Sequence, residues 1–502
     1  MNPRLHALIA LAVPDFRESA GLHQYDGRVQ DLSPDGVARA LRPVGEGPEE
    51  KDPHDEAHLA AFEAEARLVY GELELHRRNP LWHVGNLDLA CYDREYAPEE
   101  EREQAKQRHL AAWPDAVESA ITALDHVAAP VAESTMGAVR GLGAGLERER
   151  SEVERRALAA LDRLVAHVTE ASEHGDPDAA LGAPVLAKLI GVGDALEVDL
   201  SRLSAQADAE RDRLHAVLAE ASERLAPGRA PAETVEELVR DHPDADGVLA
   251  EARAVTDEVL NWTRATGLAP YHDGECRVGP APESRRWAMA MMSWAAPYEQ
   301  DAASWYYVTP PDAQWPQHEQ EEWLQVFSRT TLPTICVHEV APGHYSHGRA
   351  LRRAPSDVRR LLISGTFAEG WAHYAEELAL EEGFRDDDPR FAIGVAIEAL
   401  VRVTRLACSI GLHTGAMTVQ DAAGRFESDA FLAGPAALSE ARRGTFDPGY
   451  GRYTVGKLAI RQLRDTAKAA WGTDFSLPRF HKAMLDLGSP PLGLLGTAVE
   501  RG

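Results

Sequence analysis

Four cysteines in 502 residues, scattered at Cys91, Cys276, Cys336 and Cys408 with no C-x-x-C pair, leave no framework for a disulfide-stapled domain or a thiolate zinc finger. They read as reduced thiols. Also lacking is any run of the roughly 20 apolar residues that a membrane-spanning helix needs. There is no internal repeat and no low-complexity tract. Positive charge is scarce: 52 Lys and Arg against 81 Asp and Glu leave a net charge of −29. Such a balance disfavours phosphate backbones and anionic lipid surfaces, so neither nucleic acid nor a membrane is an expected partner. The acid excess itself reads as a solvated, self-repelling surface. The amino terminus offers LHALIALAVP after Arg4, a short apolar run broken by His6 and followed by acidic DFRES. It reads as a buried first helix rather than a secretory leader. With the reduced thiols, this leads to the expectation of a cytoplasmic protein.

What the sequence does have is helix. Long segments rich in Ala, Leu, Glu and Arg repeat apolar residues at spacings of three and four, as in residues 146–171, 232–242 and 247–262. Gly and Pro clusters near 44–53, 175–184, 226–231 and 275–284 read as turns between helices. Composition changes after about residue 265, where Trp, Tyr, His, Gly and Pro appear in irregular order. The expected fold is mostly α, a large multi-helix bundle with a cleft and a small β element near the active site. A helical region, 1–265, would support a catalytic helical region, 266–502, unless the two form one continuous cleft. SWYYVTPP, residues 304–311, is the best strand candidate, read either as a sheet edge beside the cleft that could pair with an extended peptide or, equally, as a strand whose aromatics are core.

One stretch carries chemistry. In ICVHEVAPGHYSH, residues 335–347, His338 and Glu339 open a His-Glu-x-x-His zinc motif, but Pro342 stands where the second histidine belongs. In an unbroken helix His344 would lie roughly 240° from His338, on the wrong face. Pro342 lacks an amide hydrogen and Gly343 permits unusual backbone angles, so a break or bulge is expected there. It would return His344 to the metal, with His347 as the alternative second histidine. A third ligand is available at Glu369 in GTFAEGWAHYAEELALEEG, residues 365–383, whose Glu369, His373 and Glu376 share a helix face. Two histidines from one helix and a glutamate from the next is the gluzincin arrangement. His373 would orient Glu369 or touch the metal. Zn²⁺ is the expected ion, with cobalt and manganese left open by the ligand types.

The same residues resemble a known family. HEVAPGHYSH is similar to the His-Glu-x-x-Pro-Gly-His signature of a bacterial family of unknown function, whose members are similar in fold to gluzincin-type zinc peptidases. FAEGWAHYAEEL resembles its Glu-Gly-Trp element, and DPGYGRYTVGKLAIRQLRDTA with FHKAMLDLGSPPLGLL resembles its carboxy-terminal pattern. The resemblance spans about 290–495 and implies a mostly helical metallopeptidase with His338, His344 and Glu369 as ligands and Glu339 as base. His347 departs from the family's usual glutamine. By the same resemblance a late tyrosine would steady the oxyanion. Tyr453 matches the family position better than Tyr450, and either could instead be a core residue. Lys457 and Arg461, at four-residue steps from Tyr453, are candidates to receive a substrate carboxylate, against a plain solvated stripe. Arg285, Arg286 and Trp287 form a further candidate patch.

The expected function is therefore a zinc-dependent metallopeptidase cleaving short peptides. Two other readings stand beside it: a metal-dependent hydrolase of a non-peptide amide or ester, and a metal-free helical binding or scaffold protein. Substrate panels separate the first pair, and metal analysis the third. The sequence leaves oligomeric state open, a homodimer among the options.

Overall fold

Segments with apolar residues at spacings of three and four become helices, many of which bury one stripe against the core. The computed structural model describes residues 1–282, 285–286, 288–299, 302–432 and 434–502. Helix Glu152–His174 starts where Ser151 accepts a hydrogen bond from the Glu154 amide, and it buries Ala157, Ala160, Leu161, Leu164 and Val168. The helices expected over 232–242 and 247–262 run over Pro231–Val239 and Val248–Thr266. The first helix, Pro3–Leu11, buries Leu5, Leu8, Ile9 and Leu11 in a cluster that includes Val358, Leu361 and Leu362.

The architecture is mostly α, as the periodicity predicts. Its central packing crosses residue 265. Helix Leu200–Leu225 lies along helix Pro389–His413, which we call the arginine helix, and both bury leucines in one shared cluster. Each fully buried leucine there contributes roughly 1.5–3 kcal/mol. The arginine helix is buried on nearly every side, as expected of a helix in the middle of a large protein.

One small sheet interrupts the helices. Strands β1 (Cys276–Pro280), β2 (Ala290–Ser293) and β3 (Ser304–Val308) are arranged β1-β3-β2, with β3 parallel to β1 and antiparallel to β2. SWYYVTPP therefore forms the central strand, as its core reading has it, and not an edge. The reason is local: β3 is an unbroken aromatic and β-branched run with Tyr306 and Val308 fully buried, while β1 ends in Gly279 and Pro280 and suits an edge. Any pairing with an extended peptide falls to β1 or β2. β2 packs beside the helix that carries His338.

Candidate metal centre

The histidine-glutamate helix, Leu332–Glu339, begins with Pro333 in its first turn and stops at Glu339. A second helix, His344–Leu351, restarts at His344. Between them Val340 leaves helical angles at φ −105°, ψ −90°, and the Ala341–Pro342 peptide is cis. Pro342 has no amide to continue the ladder. Gly343 lies so close to the preceding turn that an added Cβ would sit 1.9 Å from the His338 carbonyl oxygen and 2.4 Å from that of Val337. No residue with a side chain fits there. The broken turn leaves carbonyls to satisfy, and the Trp371 indole donates to those of Pro342 (2.9 Å) and Gly343 (3.2 Å). Trp371, from the Glu-Gly-Trp element, thus clamps the bulge.

The bulge brings the expected ligands together. The His338 and His344 rings are 4.8 Å apart, nearly perpendicular at 86°. Their Nε2 atoms lie 3.4 Å and 3.3 Å from the same oxygen, Oε2 of Glu369. The three ligand atoms all fall within 4.8 Å of one another. Glu369 is held one turn into the glutamate helix, Gly365–Glu381, whose first residues are fixed by Ser364 accepting from the Phe367 amide.

Two imidazole nitrogens and a carboxylate oxygen are the three-protein-ligand set of a catalytic zinc site. The residues fit such an ion. The Glu369 Oε2 atom is buried and accepts no well-formed hydrogen bond, although two ring nitrogens face it. Burial opposes charge on Glu369, but the facing imidazoles hold its carboxyl well below the usual carboxylate range. Burial and Arg402 likewise oppose a proton on His338, yet Glu369 and Glu376 raise it to about 9.

Behind the ligands sits Glu376, fully buried. Its Oε1 takes the His338 Nδ1 at 2.6 Å, its Oε2 pairs with the His373 Nδ1 at 3.1 Å, and Arg402 of the arginine helix lies 3.2 Å away. Glu376 fixes which His338 nitrogen is left to face Glu369. This corrects the role expected of His373, which bonds Glu376 rather than Glu369. The two lie at i and i+3, while the Glu369 carboxylate turns toward the histidine pair. Burial, then Lys457, push the His373 ring down to about 4. Glu376 stands seven residues after Glu369, two turns on and on the same face, and that spacing was the signal for it.

His347 does not complete the site. It is fully buried, its Nε2 meets the Gly488 carbonyl at 3.2 Å, and its ring packs on Phe367 and Trp294. Burial and His344 lower its ring to about 3. Glu339 is partly exposed at the helix end, and no hydrogen bond or ion pair engages it among the described residues. Tyr453, in the first turn of the tyrosine helix Arg452–Trp471, stacks on the His338 ring at 6.2 Å and 27°. The Arg402 and Arg405 guanidiniums lie 5.7 Å and 5.3 Å from its ring centre. Tyr450 is a core residue, fully buried with Leu406 and Leu412 in its cluster.

The basic stripe does not await a substrate carboxylate. Lys457 is fully buried between Glu210, at 2.6 Å, and Glu377, and Arg461 bonds the second Glu377 oxygen at 2.8 Å. A buried ammonium needs such partners, and Glu377 and Glu210 come from two other helices. Of the Arg285–Trp287 patch, Arg285 is tied to Glu18 and Asp88, and Trp287 lies outside the described residues.

Two solved structures share the fold over nearly the whole chain. A "putative lipoprotein of unknown function" from Shewanella oneidensis matches with a TM-score of 0.76 at 19% identity, covering 98% of this chain and 97% of that one. A "putative lipoprotein" from Colwellia psychrerythraea matches with a TM-score of 0.79 at 16% identity, covering 99% and 97%. At such identities the likeness is one of fold. The cytoplasmic placement is withdrawn: cysteine spacing and the amino-terminal run do not report a compartment directly, and both of these proteins are described as putative lipoproteins. No curated protein matches the sequence. The family model described as "Bacterial protein of unknown function (DUF885)" matches residues 14–499, and the chain belongs to that family.

Proposed function

We propose that the chain is a zinc-dependent hydrolase, a metallopeptidase that cleaves short peptides. The observation that carries this reading is the meeting of His338, His344 and Glu369 around one point, across a helix break that only proline and glycine permit. Zinc held by these three residues would supply Lewis acidity to the attacking water and the scissile carbonyl. The Glu339 carboxylate, with no hydrogen bond or ion pair among the described residues, takes the proton of the attacking water and returns it to the leaving amine. The Tyr453 hydroxyl donates to the oxygen that gains charge in the transition state, its ring fixed between His338 and two arginines. Glu376 keeps His338 in the tautomer that presents Nε2 as a ligand.

The test is elemental analysis of purified protein together with hydrolysis of blocked peptides. About one zinc per chain, and turnover that chelation abolishes and zinc restores, is the expected result. Protein without a divalent metal that still cleaves, or metal-loaded protein inert to peptides, would end this reading.

A further inference from the structure

At the start of the glutamate helix lies a cavity of about 200 Å³. Part of its wall comes from helices that also carry the site, and part from Glu65, Leu189, Ile190 and Asp194. Gly365 and Thr366 line it, and Glu369 follows them on the same helix face, roughly 5 Å further along the axis. Arg452 lines it and directly precedes Tyr453. Leu406 lines it, one turn beyond Arg402. Along the glutamate helix the cavity wall and the Glu369 carboxylate are thus about one turn apart.

Its charge is unbalanced. Glu65, from helix Pro53–Ala66, reaches in with no hydrogen bond or ion pair among the described residues. Asp194 is 5% exposed, and its Oδ1 takes only neutral donors, the Ser364 hydroxyl at 2.8 Å and the Leu492 amide at 3.2 Å. Among the described residues the one cation in the lining is Arg452, which pairs with Asp447 and also acts on Asp194, leaving Glu65 without a positive partner. Burial, and then Asp194, push the Glu65 carboxyl up to about 7, the response of an acid with no positive neighbour. Leu189 and Val455 supply apolar wall between the charges.

We propose that this cavity is a subsite for a positively charged nitrogen of the substrate, an ammonium or guanidinium held by Glu65 with Asp194 behind it. An aliphatic stem lies along Leu189 and Val455, and the bond to be cut lies at the ligand cluster. Selective cleavage rests on the metallopeptidase reading above; binding of the cation does not.

Calorimetric titration of the full-length protein tests it with three probes: Nα-acetyl-lysine amide, leucine amide and the neutral Nα-acetyl-leucine amide. At least one charged probe is expected to bind about tenfold tighter than the neutral one or better, a difference of about 1.4 kcal/mol. Which one does so tells a side-chain ammonium from a free amino terminus. Glu65→Gln should erase the preference. So should Gly193→Ala, whose new methyl would lie 2.6 Å from the Glu65 carboxyl carbon and displace it. Equal binding of all three probes by the wild type, which requires no variant to fold, overturns the proposal; so does a preference that survives both substitutions. If the charged probe binds selectively but the zinc-loaded protein cleaves no peptide, the hydrolase reading fails and the subsite stands.

Discussion

Two helices of similar composition behave in opposite ways. Glu152–His174 and Gly365–Glu381 both mix glutamate, histidine, alanine and leucine. In the first, charged side chains such as Glu152, Asp162 and Arg163 stand in solvent at about 60% exposure, and burial falls on an apolar stripe and on Glu154, which accepts from the Glu147 amide. In the second, His373 and Glu376 are fully buried and Glu377 nearly so. Water satisfies the exposed charges of the first helix. Those of the second must find protein partners: His373 pairs with Glu376 on the same helix, while Glu376 and Glu377 reach His338 and Lys457 from distant parts of the chain. Composition cannot tell the two apart. Burial can, and in this protein it separates a scaffold helix from one that builds a site.

That contrast can be broken most severely at the ligands. His344→Ala should remove the bound zinc and all hydrolysis, whereas His347→Gln should leave the zinc content of purified protein near the wild-type value; equal metal loss in both would mean His347 is a ligand after all. Glu339→Gln should keep the metal and lower kcat by on the order of 10²–10⁴, the usual worth of a positioned general base. Glu376→Gln acts one layer out. It should weaken zinc affinity by about 10- to 100-fold in a chelator competition, and unchanged affinity would show that His338 holds its orientation without it. The helix crossing is the next point of attack. A Cβ on Gly456 would lie 2.1 Å from the Thr366 carbonyl oxygen and 2.7 Å from the Gly370 Cα, so Gly456→Ala should cost about 1–3 kcal/mol in denaturant melts. It should also slow turnover by moving Tyr453. At the far end, Asp162→Ala cuts an exposed pair with Arg148 and should change stability by less than about 0.5 kcal/mol. A larger effect would mean that the first helix is not the plain solvated element described above.

Much of the site was legible because the rules that reveal it are local. Proline without an amide hydrogen, glycine in a tight turn and the 3.6-residue period are properties of short segments, and they led to His338, His344 and Glu369. Within the fold and the site, the readings that differ from the structure are questions of what a side chain or strand meets across the chain. Lys457 looked like a surface cation because nothing near it in sequence announces Glu210, 247 residues away. Tyr450 and Tyr453, three residues apart, differ only in which helix each one faces. SWYYVTPP was recognised as a strand, but whether a strand is central depends on partners, and β1 and β2 are too short and irregular to be seen in advance.

By itself, then, the sequence determined the helical class, the break at Pro342 and Gly343, and the residue types of a candidate metal site, because backbone sterics and helical periodicity act over a few residues. The tertiary structure decided that His344 and not His347 faces Glu369, that Glu376 holds His338, that Lys457 and Arg461 serve Glu377, and that Glu65 reaches a cavity at the start of the glutamate helix. Those outcomes follow from burying charge among helices far apart in the chain, and only the packed molecule states who pairs with whom.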